Sequence, residues 1–327
     1  MWWSPGPLAV ERQGGRSVLK ANYATGCRQC GCPIVGSYVN ALGHFWHPNH
    51  FTCQGCGRPI GDGEFHTHQG GTYHSECFAR QVAPKCAYCK KPLTKAFVKD
   101  YWGLQFCTEH RGQFPPCAYC SRLVDPAHDG GSASKGGIRC VLCKKHAVED
   151  QKEAELLFRE AVAWCAQQGV DVRGLRFPLE ICGRSTLNAY FGGSGGAQHL
   201  GVTRTSRTSI IGVVSKTEII GVAILLGLPK TLFRGVAAHE LGHAWLRINN
   251  IGGLASSAEE GFCELLAFRQ YMQIDTIESR YYANGMEQNP DPTYGGGFRR
   301  VREIALRGGF QQLLTSLRSN RSLPELI

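Results

Sequence analysis

His239, Glu240 and His243 form the pattern His-Glu-x-x-His at the start of the stretch HELGHAWLRINNIGGLASSAEEGF. On a helix, two histidines four residues apart share one face, so both imidazoles can bind a single metal ion. Glu240 is rotated by about 100° from His239 and stays beside the coordination position that the histidines leave open. There its carboxylate can take a proton from a water molecule and pass it to a leaving amine. The pattern therefore predicts zinc-assisted hydrolysis.

A third zinc ligand must come from a second helix, which the segment SSAEEGFCELLAFRQYM predicts. Its first turns carry three carboxylates, Glu259, Glu260 and Glu264. Glu260 and Glu264 share a helix face, whereas Glu259 points about 100° away. The spacing leaves Glu260 and Glu264 open as ligands and favours Glu259 as a residue that orients a histidine. An acidic helix start stabilised by the helix dipole is the alternative interpretation of all three.

Strands and helices are predicted around these residues by hydrophobic periodicity. The run EIIGVAILLGLP predicts a strand that leads into the HELGH helix, and Thr231 is the predicted cap of that helix. FPLEI and SIIGVVS predict two further strands, and AVEDQKEAELLFREAVAWCAQQ predicts a helix that Gly169 ends. FRRVREIALRGGFQQLLTSLRSN predicts two helices separated by Gly308 and Gly309. YFGGSGGAQ, NPDPTYGGGF and the GSASKGG segment are predicted loops.

Four further sets of metal ligands precede this region. Disulfide frameworks have no use for histidine, so Cys-x-x-Cys pairs that alternate with histidines predict zinc sites in a reducing compartment. Each set has four protein ligands and leaves no open position, which makes the four zinc ions structural. Cys32 lies close enough to the first set to be a spare ligand. The sets are Cys27, Cys30, His47, His50; Cys53, Cys56, His74, Cys77; Cys86, Cys89, Cys107, His110; and Cys117, Cys120, Cys140, Cys143.

The net charge restricts the classes of partner. The formal charge is +10, and twelve thiolates against four Zn²⁺ ions lower it to about +6. This modest charge, with no C2H2 finger spacing, gives little support to nucleic-acid binding, so no nucleic-acid partner is expected. No run of eighteen apolar residues and no signal peptide are visible, so a cytoplasmic protein without a membrane partner is expected.

The first two metal sets are separated by two residues, and the text FWHPNHFTCQGCGRPI resembles a LIM domain, with His50 where cysteine is usual. Six residues separate the third and fourth sets, so this second module is LIM-like.

We predict an α+β protein in which LIM and LIM-like zinc modules precede a zincin or gluzincin-type metallopeptidase domain. The predicted segments are a loose tail (1–24), a LIM domain (25–80), a LIM-like module (81–147), a connecting helix (148–170) and the peptidase domain (171–327).

Two family resemblances extend this prediction. Glu260-Gly261-Phe262 resembles the NEGF segment of gluzincin metallopeptidases, in which the glutamate before glycine binds zinc, and this favours Glu260 over Glu264. The segments ILLGLPKTLFRGVAAHELGHAWLRI, EEGFCELLAF and PTYGGGFRRVREIAL resemble the DA-one family of LIM-domain zinc peptidases, known from plants as ubiquitin-activated regulators of organ size. This resemblance covers roughly residues 25 to 327. It implies limited endoproteolytic cleavage of protein targets, including ubiquitin-pathway components.

The same resemblance implies one catalytic and four structural zinc ions, with Glu240 as the catalytic acid and base. The implied partners are protein substrates, LIM-binding proteins, and ubiquitin or ubiquitinated proteins. The plant regulators carry ubiquitin-interacting helices before the LIM domain. The tail before Cys27 shows no acidic amphipathic helix of that kind, so activation through such helices is not expected here.

A zinc peptidase of this type also needs a group that stabilises the oxyanion of the tetrahedral intermediate. Tyr294 in TYGGGF is the candidate, and Tyr281 and Tyr282 are weaker alternatives. His199 has only its residue type in its favour. Two other functions remain open from sequence: a non-enzymatic LIM adaptor with a degenerate peptidase fold, and nucleic-acid binding by the zinc modules.

Overall fold

The computed structural model describes residues 26–61, 63–125, 133–134, 137–172, 174, 178–192, 199–210 and 213–324. The predicted N-terminal tail and parts of the predicted GSASKGG and YFGGSGGAQ loops lie outside these residues. The chain divides into two compact units, Met1–Phe114 and Pro115–Ile327. This division falls inside the predicted 81–147 module, so the third metal set belongs to the first unit and the fourth set to the second.

The first Cys-x-x-Cys pair of each metal set forms the same tight turn, called a knuckle below. The N–H of the residue after the second cysteine donates to the carbonyl of the first, as in Gly31 to Cys27 at 2.7 Å and Ser121 to Cys117 at 3.0 Å. The residue after the second cysteine has a left-handed backbone, with φ between 56° and 72° in Gly31, Gly57, Lys90 and Ser121. The internal repeat seen in the sequence is thus a structural repeat of four knuckles.

In the first unit each metal set is completed by a two-stranded hairpin. The elements are β1 (Val39–Ala41), β2 (His44–Trp46), β3 (Phe65–His68), β4 (Gly71–His74), α1 (Ser75–Gln81), β5 (Phe97–Lys99), β6 (Gln105–Cys107) and α2 (His110–Gln113). The apolar core of the first two hairpins is small and centres on Phe51, whose ring lies 5.1 Å from Phe65 and 5.5 Å from Trp46. A core this small needs additional stabilisation, and metal ions bound by the four-ligand sets can provide it.

The second unit begins with the fourth metal set and continues into a three-stranded sheet. The elements up to the sheet's last strand are β7 (Ala133–Ser134), β8 (Gly137–Ile138), α3 (Val141–Lys145), α4 (Gln151–Gln167), β9 (Leu179–Cys182), α5 (Arg184–Ala189), β10 (Gly201–Ile210) and β11 (Val213–Leu225). The strand order is β10-β11-β9, with β10 antiparallel and β9 parallel to β11. β10 is therefore an edge strand of this sheet.

Helices form the remainder of the second unit. They are α6 (Lys230–Ile248), α7 (Ser256–Ile274), α8 (Ile277–Glu287), a π-helix (Pro292–Gly296), α9 (Gly297–Gly308) and α10 (Phe310–Asn320). The predicted HELGH helix, the helix that follows it and the pair separated at Gly309 are confirmed. The predicted loop NPDPTYGGGF is wrong, because five of its residues form the π-helix. The predicted connecting helix, α4, packs on α6 and β9 inside the second unit.

The start of α6 differs from the prediction. Thr231 does not cap the helix: α6 begins at Lys230, and no side chain caps its N-terminus. The backbone N–H of Lys230 donates instead to the carbonyl of His146 at 3.0 Å. A main-chain acceptor from a distant segment thus replaces the local cap, since a helix N-terminus needs some acceptor for its free N–H groups. In the part of the chain that the structure describes, no helix has the length and apolar character needed to cross a membrane.

Candidate metal centre

The packing of α6 against α7 brings the predicted ligands together. The two helices approach closely at Gly242, where a Cβ atom would lie 2.9 Å from Sγ of Cys263. One turn further along, the buried rings of Trp245 and Phe262 pack at 5.4 Å between centroids. This crossing directs His239 and His243 of α6 toward the acidic first turns of α7.

Three donor atoms face one another at this crossing. Nε2 of His239 lies 3.2 Å from Nε2 of His243, and Oε2 of Glu260 lies 3.3 Å and 3.6 Å from these two nitrogens. Zinc bonds of about 2.0–2.1 Å to nitrogen and oxygen require tetrahedron edges of about 3.3–3.4 Å. Oε2 of Glu260 is buried and makes no hydrogen bond of acceptable geometry among the described residues. These donors fit one face of a zinc tetrahedron, with the fourth position open.

The other ring nitrogen of each histidine contacts a different carboxylate. Nδ1 of His239 lies 3.1 Å from Oε1 of Glu264, and Nδ1 of His243 lies 3.1 Å from Oε1 of Glu259. Arg247 holds Glu259 from the far side, at 2.9 Å. A carboxylate at Nδ1 selects the tautomer that leaves the Nε2 lone pair free for a metal. The geometry thus favours Glu260 as the third ligand and places Glu264 and Glu259 behind the histidines.

Charge balance in the cluster follows from these contacts. Burial opposes the charged imidazolium of His239, yet the carboxylates of Glu260 and Glu264 hold the pKa of His239 well above its usual range. The hydrogen bond with His243 lowers the pKa of Glu259, with Arg247 adding to the effect. Burial opposes the charged carboxylate of Glu260, but the two histidines lower its pKa below the usual range. The carboxylates of Glu259 and Glu260 are therefore ionised, as histidine orientation and metal ligation require.

Glu240 is buried against the edge strand of the sheet. Oγ1 of Thr203 lies 2.8 Å both from Oε2 of Glu240 and from its backbone carbonyl oxygen. Gly201 lies beside the same side chain: a Cβ atom there would be 2.8 Å from Oε1 of Glu240 and 2.8 Å from Cγ1 of Val236. Two residues of β10 thus fix the Glu240 carboxylate: Thr203 by a hydrogen bond and Gly201 by close packing.

The sixteen predicted structural ligands are brought together in the four predicted sets. Sulfur–nitrogen distances are 3.4–3.5 Å, as between Cys30 and His47, and sulfur–sulfur distances are 3.6–3.7 Å, as between Cys120 and Cys140. Zinc–sulfur bonds of about 2.3 Å require edges of about 3.6 and 3.8 Å. Burial raises the pKa of Cys27, but backbone N–H donors, that of His47 first among them, lower it to about 5. Clusters of this composition suggest zinc binding.

Comparison with known proteins agrees with this geometry. Residues 27–82 match the LIM domain family, and residues 166–280 match the family described as DA1-like: Protein DA1. The chain carries a LIM domain and a DA1-like domain. The predicted resemblance is confirmed at this level, as is the mixed α and β architecture with its metal-binding clusters ahead of the DA1-like domain. The third and fourth metal sets lie between the two matched segments.

Several curated relatives of the chain are plant proteins. The chain is 26% identical to Protein DA1-related 1 of Arabidopsis thaliana, over 88% of this chain and 64% of that protein. It is 24% identical to Protein DA1 of the same plant, over 91% of this chain and 68% of that protein. LIM domain-containing protein HDR3 of Oryza sativa subsp. japonica is 27% identical, over 71% of this chain and 53% of that protein. The chain thus spans roughly two thirds or less of these relatives.

Tyr294, the predicted oxyanion stabiliser, lies in the π-helix that follows the DA1-like match. Asp291 accepts the N–H groups of Thr293 and Tyr294 at 2.8 and 2.9 Å and so fixes the start of this helix. Glycines at 295–297 let the backbone at the junction of the π-helix and α9 lie directly against the backbone of α7. A Cβ atom on Gly297 would lie 2.0 Å from the carbonyl oxygen of Ser257. Burial and the nearby carboxylates raise the pKa of Tyr294, so its hydroxyl stays protonated and can donate a hydrogen bond.

A cleft of about 1100 Å³ joins these groups. It is lined by His239, Glu240, His243, Glu260 and Tyr294, among others. His199 also lines it, with its ring stacked on Phe191 at 4.2 Å between centroids, and so does Tyr282. Tyr281 instead donates a hydrogen bond to Oγ of Ser121 at 2.7 Å.

Gly201, Thr203 and Tyr119 are among the cleft residues that the sequence arguments missed. Gly201 and Thr203 lie almost forty residues before Glu240, and no local pattern links a strand glycine to a helix carboxylate. For Tyr119 the sequence did contain a pattern that could have drawn attention to it, because Cys86–Cys89 and Cys117–Cys120 share the sequence Cys-Ala-Tyr-Cys.

Gly201→Ala is expected to lower hydrolytic activity while leaving the metal content unchanged. The added Cβ would lie 2.8 Å from the Glu240 carboxylate, so the side chain must move, and a small misplacement can cost about 100-fold in rate. Cleavage assays on purified protein, with metal analysis of the same samples, measure both quantities. Gly252→Ala is the control, because a Cβ atom there meets nothing within 4 Å. Equal activity of the two variants would contradict the role of Gly201.

Proposed function

We propose that the protein is a zinc-dependent endopeptidase that performs limited cleavage of protein substrates. One observation carries this proposal: three donor atoms, of His239, His243 and Glu260, form a face of tetrahedral dimensions beside the buried Glu240. A site with three protein ligands and an open position is typical of catalytic zinc, whereas four protein ligands are typical of structural zinc.

The chain's own residues supply the remaining chemistry. A bound Zn²⁺ would lower the pKa of water to about 7 and polarise the scissile carbonyl. Glu240 accepts the proton of the attacking water and delivers it to the leaving amine. Thr203 and Gly201 keep the Glu240 carboxylate in place during both transfers. The hydroxyl of Tyr294 donates a hydrogen bond to the oxygen that becomes negatively charged.

The edge strand β10 supports a protein substrate rather than a small molecule. Its residues Gly201, Val202, Thr203 and Thr205 line the cleft that Glu240 also lines. An extended peptide can add to such an edge through main-chain hydrogen bonds, which hold a substrate strand largely independently of its sequence. This binding mode suits limited cleavage at an extended segment of a folded protein.

The LIM domain and the third metal set serve recruitment in this proposal. They bind protein partners and bring substrates to the peptidase. Ubiquitin and ubiquitin-pathway proteins, which the family resemblance implies as partners, are the first ones to test. The sixteen cysteines, all within the described residues, form no disulfide bond, in keeping with the proposed reducing, cytoplasmic compartment.

Metal analysis tests the proposal directly. The purified chain is expected to hold five zinc ions, of which four resist mild chelation and one is released, because only the site of His239, His243 and Glu260 has an open position. Cleavage of an internally quenched peptide library is expected to disappear with the labile ion and to return when zinc is restored. Full cleavage after loss of the labile ion would contradict the zinc mechanism.

Tyr294→Phe tests the oxyanion role separately. The variant is expected to lower kcat by about 10²–10³-fold with little change in KM, because the hydrogen bond forms only as the oxygen becomes charged. The same assay on Tyr282→Phe gives the comparison, since Tyr282 also lines the cleft. A large loss of kcat in Tyr282→Phe with none in Tyr294→Phe would reverse the assignment.

A further inference from the structure

The fourth metal set lies within the same compact unit as the candidate catalytic site. Its knuckle, Cys117–Cys120, places two residues in the wall of the cleft, Ala118 and Tyr119. Ala118 is exposed to the cleft, whereas Tyr119 is 8% exposed and packed behind it. The backbone N–H of Ala118 donates to the carbonyl of Ile138 at 2.8 Å, which ties the knuckle to β8.

The knuckle is also fixed to α8, which forms the adjacent wall. The hydroxyl of Tyr281 donates to Oγ of Ser121, the residue after the knuckle, at 2.7 Å. The ring of Tyr282 packs on Tyr281 at 5.5 Å and on Tyr271 at 5.4 Å between centroids. Tyr271 in turn lies against Gly235 of α6, where a Cβ atom would be 2.1 Å from its ring. A continuous row of tyrosines thus joins the metal set to the helix of His239.

A second connection runs from the end of the metal set to the start of α6. The N–H of Val148 donates to the carbonyl of Leu228, and the N–H of Gly227 donates to the carbonyl of Val148, both at 2.8 Å. Arg139, next to the ligand Cys140, donates to the carbonyl of Gly227 at 3.2 Å. The segment that carries Cys140 and Cys143 therefore holds the chain at the point where the catalytic helix begins.

The third metal set provides an internal comparison. Its knuckle, Cys86–Cys89, has the same Cys-Ala-Tyr-Cys sequence, and the N–H of Ala87 donates to Gln105 much as Ala118 donates to Ile138. The Cys86–Cys89 knuckle belongs to the first compact unit, whereas the Cys117–Cys120 knuckle belongs to the unit that contains the candidate catalytic site. A substitution in the first knuckle is therefore a matched control for the same substitution in the second.

We propose that the Cys117–Cys120 knuckle is a substrate-contacting wall of the cleft, where Ala118, with Tyr119 packed behind it, contacts an apolar side chain of the bound polypeptide. We choose an apolar substrate side chain because this part of the cleft wall is uncharged. It is formed by Ala118 and Tyr119 of the knuckle and by Tyr282 and Met286 of α8. The metal ligands hold the knuckle in position, and the peptide contact is made by the residues between them. This inference rests on the proposed peptidase function and extends it to the specificity of the site.

Hydroxamates test the inference on the zinc-loaded full chain. Acetohydroxamate is a small probe of the zinc site alone, whereas dipeptidyl hydroxamates with phenylalanine on either side of the metal-binding group extend along the cleft. The variants are Ala118→Trp, with Ala118→Leu as a smaller change, and Ala87→Trp as the matched control. Dissociation constants from calorimetry and zinc content are measured for each.

Ala118→Trp is expected to weaken one of the two dipeptidyl hydroxamates by about tenfold or more, through steric overlap, and Ala118→Leu by less. Acetohydroxamate binding, the zinc content and all properties of Ala87→Trp are expected to match the parent. Unchanged binding of both dipeptidyl probes by the two Ala118 variants would overturn the inference while leaving the peptidase proposal intact. Failure of every hydroxamate to bind the zinc-loaded parent would overturn both.

Discussion

Glu240→Gln is expected to lower the rate of peptide cleavage by about 10²–10⁴-fold or more, because the amide can neither accept nor deliver the proton. The substitution keeps the size of the side chain and its contact with Thr203. The zinc content is expected to stay at the parental value, since Glu240 is not among the clustered donor atoms. Cleavage of the quenched peptide library and metal analysis of the same preparation measure the two outcomes.

Glu303→Gln is the matched control, because its carboxylate pairs only with the exposed Arg307 on α9 among the contacts described. Parental cleavage by Glu240→Gln would contradict the acid–base mechanism. The same variant can identify substrates: a chain that binds but does not cleave is expected to retain its target, which can be purified with it from cell extract. Recovery of no protein beyond those bound by the LIM domain alone would argue for the adaptor function.

Glu260→Ala is expected to lose the labile zinc, whereas Glu264→Ala and Glu259→Ala are expected to retain it with lower affinity. Oε2 of Glu260 faces both Nε2 atoms, while Glu264 and Glu259 each face an Nδ1 atom. Loss of a carboxylate behind a histidine costs about 10–100-fold in metal affinity, so the loss in Glu260→Ala is expected to exceed 100-fold. Competition with a zinc-binding dye measures the affinity of each variant.

The four structural sites provide the control for this series, since their zinc content is expected to be the same in all three variants. Retention of the labile zinc by Glu260→Ala together with its loss from Glu264→Ala would assign the third ligand to Glu264. Equal, small effects of all three substitutions would indicate that the acidic turn serves only as a charged helix start.

Sequence spacing was a sound guide wherever one helix or one short loop positions the chemistry. His239 and His243 share a face because four residues make about one turn, and each Cys-x-x-Cys pair meets its partners through a hairpin. The choice between Glu260 and Glu264 needed more than spacing, because both lie on the same face of α7. Only the crossing of α6 and α7 at Gly242 and Cys263 places one carboxylate at Nε2 and the other at Nδ1.

Residues that act across long separations were out of reach of sequence arguments. Gly201 and Thr203 matter because β10 packs against α6, and this contact is made only in the folded chain. The π-helix was missed since Asp291 and three glycines are also typical of a loop. Its close packing, with Gly295 against Asn289 and Gly297 of α9 against Ser257 of α7, exists only in the folded chain. The start of α6 at Lys230 depends likewise on the carbonyl of His146, more than eighty residues away.

The regular spacing of the four knuckles does not show where the chain can be truncated without damage to the unit that contains His239. The last ligand of the four metal sets is Cys143, but the compact unit that contains His239 begins at Pro115. A truncated chain that starts after Cys143 would lack Ser121, the hydroxyl partner of Tyr281, and Arg139, which donates to the carbonyl of Gly227. A chain that starts at Pro115 retains both. Deletion studies that remove the whole cysteine-rich region would therefore mistake damage to the hydrolytic half for a lost recruitment function.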